Sequence, residues 1–189
     1  GDQMVTCATI AQSFMLVVTM PLGGISAGTG TILAYNYGAR RRDRIVKAQA
    51  FIAALCAAYV TALFLLARLG GGLFVGLFTT EPVLAAEALD AIHVCTLALL
   101  PLGIQYAIVD GFTGMGKVQV SLPLSAFRKA VYFIALFALP ARFGARAAFW
   151  AEPISDVLGS LVSIAVYALV IRHLLRSPED APARTAAET

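Results

Sequence analysis

Apolar residues fall into five long runs, and glycine, proline or clustered charge interrupts the chain between them. The runs cover about residues 8–35, 48–69, 91–114, 118–140 and 147–171. Each is long enough for a helix crossing a hydrocarbon core, which takes about 20 apolar residues. The pattern predicts an all-α fold, a polytopic helical membrane bundle of five transmembrane helices over residues 1–176. From Ser177 the composition turns to Pro, Ala, Glu, Asp and Thr. That mixture buries little and predicts a disordered cytoplasmic tail over residues 177–189.

The junctions carry local signals. Gly70-Gly71-Gly72 follows Arg68 and is expected to break the second helix, leaving residues 73–78 at the interface. Thr79-Thr80-Glu81-Pro82 reads as a helix start, with a capping hydroxyl and a proline near the first helical position. Glu87 and Asp90 stay in water before the third run enters the membrane, and Gly114-Met115-Gly116-Lys117 ends that run. His93, beside Asp90, reads as an interfacial polar residue or, alternatively, a proton handler. In the first run Pro21 removes a backbone donor and is expected to kink the helix. Gly23, Gly24, Gly28 and Gly30 are spaced to let helix backbones approach closely in lipid. Such a helix either packs plainly or bends to line a cavity.

Composition agrees with the pattern. The chain is 59% apolar and 13% charged, with mean hydropathy +0.81, against about 45–50% and about 25% in ordinary globular domains. The net charge of +3 does not point to nucleic acid, because no basic face with interleaved aromatics exists. It points to orientation. Arg40, Arg41, Arg42, Arg44, Lys47, Lys117, Arg172, Arg176 and Arg184 fall on one side of a five-span arrangement, and Arg68, Arg142 and Arg146 on the other. Short basic loops stay inside, so the C-terminus is expected in the cytoplasm. Cys7, Cys56 and Cys95 show no paired or metal-type spacing and read as small packing residues. The chain opens Gly-Asp-Gln without a signal peptide's pattern, and is expected to be the C-terminal part of something longer.

Asp110, Arg128, Lys129, Glu152 and Asp156 fall within or near the apolar runs. An ionisable group at the bilayer centre costs about 2.5–3.5 kcal/mol on insertion scales. Arg128 lies 12 residues inside the end of its run at Pro140, and Asp156 lies 9 inside the start of its run at Ala147. Those depths, about 18 Å and about 13–14 Å, are close enough for an Arg side chain to bridge. An Arg128–Asp156 ion pair is therefore expected, either fixing helix register or acting as a protonation switch. Glu152 shares a face with Asp156 at i,i+4 spacing, and Pro153 between them frees a backbone position. Together they suggest a hydrated strip. Asp110, one turn from the end of its run, is shallow enough to be solvated, and Lys129 can snorkel to the same surface.

Gly24-Ile25-Ser26 through Gly28, followed by Tyr35-Asn36-Tyr37-Gly38-Ala39-Arg40, resembles the GISQG…YNYGAK signature of the multidrug and toxic compound extrusion (MATE) family. Gly114-Met115-Gly116-Lys117 resembles that family's QALGK turn. Leu124-Ser125-Ala126-Phe127-Arg128 resembles its LSLLRQ segment, and the run from Pro153 to Leu158 its PISDLLS. The motifs occur in the right order and spacing over nearly the whole chain. The resemblance implies helices eight to twelve of a twelve-helix, two-lobed exporter of cationic and amphipathic small molecules, driven by H+ or Na+ exchange. The missing N-terminal lobe and the lipid bilayer are then the implied partners, and a bacterial inner (plasma) membrane the implied location.

Departures from the motifs are informative. Ala27 stands where the signature has Gln, Gly30-Thr31 where it has Gln-Pro, and Ala130 where a Gln follows the arginine. The first run is thus less polar than the pattern, and no coupling-ion site carries over. Asp156 and Arg128 are the expected coupling pair, with Asp110 and Glu152 as further candidates and no cofactor beyond the coupling ion. A lipid-linked oligosaccharide flippase of the same superfamily is an alternative, as is a non-transporting truncated fragment. A membrane-embedded enzyme would need convergent His, Asp, Glu or Ser/Lys groups at membrane depth, and the two histidines lie far apart.

Overall fold

The computed structural model describes residues 2–174, with side chains over 3–171. The expected tail over 177–189, and the side chains of Arg172, His173, Arg176 and Arg184, lie outside the described residues. Six α-helices follow in order: α1 (Asp2–Gly38), α2 (Arg42–Gly76), α3 (Pro82–Cys95), α4 (Leu99–Gly114), α5 (Val118–Phe143) and α6 (Ala151–Leu174). A 3₁₀ turn at Thr96–Ala98 joins α3 to α4, and a second at Ala145–Trp150 leads into α6. Among the described residues there is no strand. By length and composition five helical segments can cross a membrane, with α3 and α4 together forming the third. This is a polytopic helical membrane bundle.

The third span is the axis of the bundle. It packs against α1 and α2 on one side and α6 on the other, while α5 sits at the rim against α4 and α6. α1 and α2, at 37 and 35 residues, are each longer than 50 Å by about 1.5 Å per residue. They therefore overreach a hydrocarbon core of ~30 Å.

The connections at the basic end are two matching Schellman turns. After α1, Arg41 N donates to Asn36 O at 3.0 Å and Arg40 N to Tyr37 O at 3.1 Å. After α4, Lys117 N donates to Phe112 O at 2.8 Å and Gly116 N to Thr113 O at 2.9 Å. The C′ residue of such a turn adopts the left-handed conformation and is usually glycine. Gly116 fits, with φ 73°, but the equivalent position after α1 is Arg40 at φ 56°. Lys117 Nζ sits 5.4 Å from the Tyr37 ring centroid, tying the two turns together.

Several expectations change. Gly70-Gly71-Gly72 does not break α2, which runs on to Gly76. The glycines are packing positions: a Cβ on Gly71 would fall 2.7 Å from Leu89 Cδ1. Arg68 consequently lies within α2 rather than at its exit. Its guanidinium rests 4.8 Å from the Phe64 centroid and donates to His93 O at 2.9 Å. His93 Nε2 returns a contact to Ala67 O at 3.2 Å, so this histidine clasps α3 to α2. The break falls instead in the third span. Pro101 lacks the N–H that would bond Leu97 O, and its ring crowds that carbonyl; the 3₁₀ turn is one turn upstream of it.

Pro21 does not interrupt α1. The carbonyl it leaves without a helical donor is Val17 O, and Tyr59 of α2 donates its hydroxyl there at 3.1 Å. Pro153 leaves Phe149 O in the same position, and the Cys95 thiol approaches it at 3.7 Å. In lipid, where water cannot fill such gaps, neighbouring helices supply the missing donors.

Candidate functional site

Polar side chains on α6 fall on one stripe at helical spacing: Ser155, Asp156, Ser160 and Ser163 are buried, and Glu152 at its end is half-buried. Against this stripe α4 brings Gln105 and Tyr106, and α5 brings Arg128. Arg128 Nη1 donates to Asp156 Oδ1 at 3.0 Å, with side-chain exposures of 18% and 1%. The pair is thus enclosed by protein on the carboxylate side. The guanidinium also lies 5.9 Å from the Tyr106 ring centroid. Gly159 makes this meeting possible: a Cβ there would stand 2.8 Å from Gln105 Oε1 and 3.0 Å from Arg128 Cβ. Gln105 Oε1 and Ser163 Oγ are buried without a hydrogen-bond partner. Of these, Gln105 Oε1 meets Arg128 across Gly159 and leaves an acceptor position beside the ion pair unused.

Glu152 sits one turn further from the basic end. Its Oε1 accepts a long bond from Gln12 Nε2 at 3.4 Å, and its Oε2 has no partner. Ser155 donates to the Glu152 backbone carbonyl at 2.9 Å. Lys129 is exposed, and its Nζ lies 5.9 Å from the centroid of Tyr132. Tyr132 is one turn further from the basic end along α5.

Asp110 belongs to a second cluster, five residues nearer the basic end of α4 than Gln105. It is half-buried rather than solvated and accepts from the Ser26 hydroxyl of α1. Gln49 of α2 donates to Ala107 O at 2.7 Å close by. The structure therefore joins Arg128 to Asp156, places Glu152 next to them along α6, and keeps Asp110 apart.

The glycines sort differently from their expected packing role. Pro21, Gly24 and Gly28 are exposed, and a Cβ on Gly24 or Gly28 meets nothing within 4 Å. Gly23 lies behind Tyr106, at 3.8 Å. The close approach is made by Gly30 and Gly114, where a Cβ on Gly114 would fall 2.7 Å from Gly30 O. The signature residues form the first Schellman turn: Tyr35 is exposed, Asn36 is buried with Nδ2 donating to Ile32 O at 2.8 Å, Tyr37 faces Lys117, and Gly38 ends the helix.

Sequence reasoning missed Gln12, Gln49, Gln105 and Gly159, named Ser26 only within the signature, and read Cys95 only as a packing residue. The small-polar periodicity 152/155/156/159/160/163 was the available signal. Among the described residues no group of three His, Cys, Asp or Glu side chains is placed to hold a metal ion.

Comparison with known proteins places this arrangement. The chain superposes on the outward-facing conformation of a multidrug resistance MATE family transporter of the MOP superfamily with a TM-score of 0.86, at 18% identity, over 94% of this chain and 40% of that one. The MATE multidrug transporter DinF-BH, solved as a complex, gives a TM-score of 0.78 at 25% identity over 87% of this chain and 37% of that one. A MOP superfamily transporter from Pyrococcus furiosus Vc1, whose binding pocket has reversed polarity, gives 0.82 at 18% identity over 92% and 39%. A search of curated proteins found no match. The chain thus spans about 40% of the length of the solved transporters it matches. The family model for MatE matches residues 1–142, and the chain belongs to the MatE family of transporters.

Proposed function

We propose that this chain is most of the C-terminal lobe of a secondary active exporter that moves cationic or amphipathic small molecules in exchange for H+ or Na+. The observation that carries the reading is the Arg128–Asp156 pair, a carboxylate 1% exposed and bonded to a guanidinium at the α5–α6 contact. Breaking a buried ion pair by removing one partner costs about 3–5 kcal/mol, and less here, where Arg128 is 18% exposed. Such a pair holds α5 and α6 in one register until something replaces a partner. A proton or a cation delivered to Asp156 does so, releasing Arg128 toward Tyr106 and the unused acceptor on Gln105. A conformational cycle needs a step of this kind, in which ligand binding differs between two states. Transporters of this plan rock two lobes about a midplane site, and the second lobe would come from the remainder of the transporter. In this reading the protein lies in a bacterial inner membrane with its basic turns and C-terminus in the cytoplasm.

The test is dye efflux by the intact protein in proteoliposomes, with the pH and sodium gradients collapsed separately. Loss of efflux on collapsing one of them identifies the coupling ion. Asp156→Asn should lower efflux while leaving expression intact. Efflux unchanged in that variant refutes the switch, and stimulation by a lipid-linked oligosaccharide instead of dye moves the reading to a flippase.

A further inference from the structure

Two cavities lie in series between the end of the bundle opposite the basic turns and Asp156. The outer one, about 170 Å³, is lined by Cys7, Glu87, Asp90, Arg146 and Phe149 among others. The inner one, about 180 Å³, is lined by Gln12, Cys95, Tyr132, Phe149 and Glu152 among others. Cys7 faces the outer cavity and Ala8 the inner; Val94 faces the outer and Cys95 the inner; and Phe149 borders both. From the inner cavity, Glu152 leads in one helical turn to Asp156.

Charge along this route has one sign in excess. In the outer cavity Glu87 is bonded to Arg146, which leaves Asp90 unmatched. In the inner cavity Glu152 is the charged lining group, and its Oε2 has no hydrogen-bond partner. Arg128 is bonded to Asp156, and Lys129, beside the lining Tyr132, offsets part of the charge of Glu152, so the excess along the route rests on Asp90. Among the described residues no group of three His, Cys, Asp or Glu side chains is placed to hold a metal ion, so a bare metal ion, which wants a shell of about six oxygen ligands, is poorly served. A small ammonium or hydronium ion needs only a counter-charge, hydrogen-bond acceptors and an aromatic face.

We infer that the two cavities form a cation-selective path from the end opposite the basic turns to the Arg128–Asp156 pair, with Phe149 as its internal gate and Glu152 as the relay site for an ammonium-sized cation. The path deepens the exporter reading, resting on it only for what the cation does at Asp156. Entry and charge selection are properties of the cavities themselves.

Native cysteines report on it. Cys7 faces the outer cavity and Cys95 the inner, while Cys56, buried where α2 meets α4, serves as a control away from the path. The intact protein in nanodiscs is treated with 2-aminoethyl methanethiosulfonate, a cation, or with its 2-sulfonatoethyl analogue, an anion, and each cysteine is followed by peptide mass spectrometry. The cation should modify Cys95 at least about tenfold faster than the anion, the lower end of electrostatic focusing in a charged cleft. Glu152→Gln should shrink that ratio, and Phe149→Ala should raise both rates while keeping it. Equal rates for the two reagents at Cys95 in the unaltered protein, or Cys95 as unreactive as Cys56, overturn the path without needing any variant to fold. No gradient or cargo is present, so the outcome is separate from the success or failure of the efflux assay.

Discussion

The bond from Tyr59 to the carbonyl vacated by Pro21 gives a quantitative prediction. In an uninterrupted helix Val17 O would accept from the N–H of residue 21, which proline lacks. Tyr59 Oη instead reaches Val17 O at 3.1 Å from the neighbouring helix. Both groups lie on a face turned to lipid or to another part of the transporter, where water is scarce. Tyr59→Phe keeps the ring and removes only the donor. Interhelical hydrogen bonds in membranes are worth ~0.6 kcal/mol on average and up to ~1.7. The carbonyl has no second donor along its own helix, so the loss should fall in the upper part of that range, about 1–1.5 kcal/mol. In a Pro21→Ala background the helix supplies its own N–H. The same Tyr59→Phe change should then cost less than about 0.5 kcal/mol, the additive limit for uncoupled sites. The assay is equilibrium unfolding in mixed micelles of the four proteins of this cycle, giving a coupling energy near 1 kcal/mol. Equal cost of Tyr59→Phe in both backgrounds would show that the hydroxyl does not stand in for the missing amide, and the argument about proline gaps would fail.

Arg128→Asp or Asp156→Arg alone should abolish stable folding, and the two together should partly restore it in a detergent thermal-shift assay; no rescue argues against the contact. Arg40→Gly should stabilise the protein by about 1 kcal/mol, because it relieves a left-handed residue that costs ~1–2 kcal/mol; an unchanged unfolding midpoint refutes this. Gly114→Ala should destabilise by about 1–3 kcal/mol, since its methyl would be driven against the Gly30 backbone, whereas Gly24→Ala should be silent in the isolated chain's stability. A midpoint lowered equally by both would overturn the assignment of the close approach.

The fold was legible because membrane insertion writes itself into the sequence as run length and flanking charge. The Arg128–Asp156 contact was legible for a related reason: depth can be counted from the ends of adjacent helices, and long side chains forgive an error of a few ångströms. What could not be read is which way each helix faces. Gly24 and Gly28 match a packing motif as well as Gly30 does, yet they point out of this lobe while Gly30 meets Gly114. Four glycines within eight residues of a helix spread over more than one face, and only the partner decides between them. The triple glycine misled for a different reason. Glycine breaks helices where water competes for the backbone, but in lipid the helix is the only way to satisfy it, so Gly71 became a contact with Leu89 instead.

The break in the third span shows the converse error. Residues 95–99 carry no glycine, proline or charge, and nothing local marks them. The cause lies downstream at Pro101, whose effect falls four residues back on Leu97 O. Applied consistently, that rule marks Val17 O, Leu97 O and Phe149 O as positions needing outside help. The structure answers the first with Tyr59, the last with Cys95, and the middle one by tightening the helix into a 3₁₀ turn. The turn ends α3 at Cys95, the residue that also approaches Phe149 O and lines the inner cavity beside Glu152. The proline that interrupts α4's ladder and the one that frees Phe149 O thus act on the same small region. If the transport cycle moves Phe149, it must do so against the Cys95 contact. Cys95→Ser, which substitutes a stronger donor at that carbonyl, should accordingly slow dye efflux without shifting the unfolding midpoint downward, and faster efflux would contradict the assignment of Phe149 as the gate.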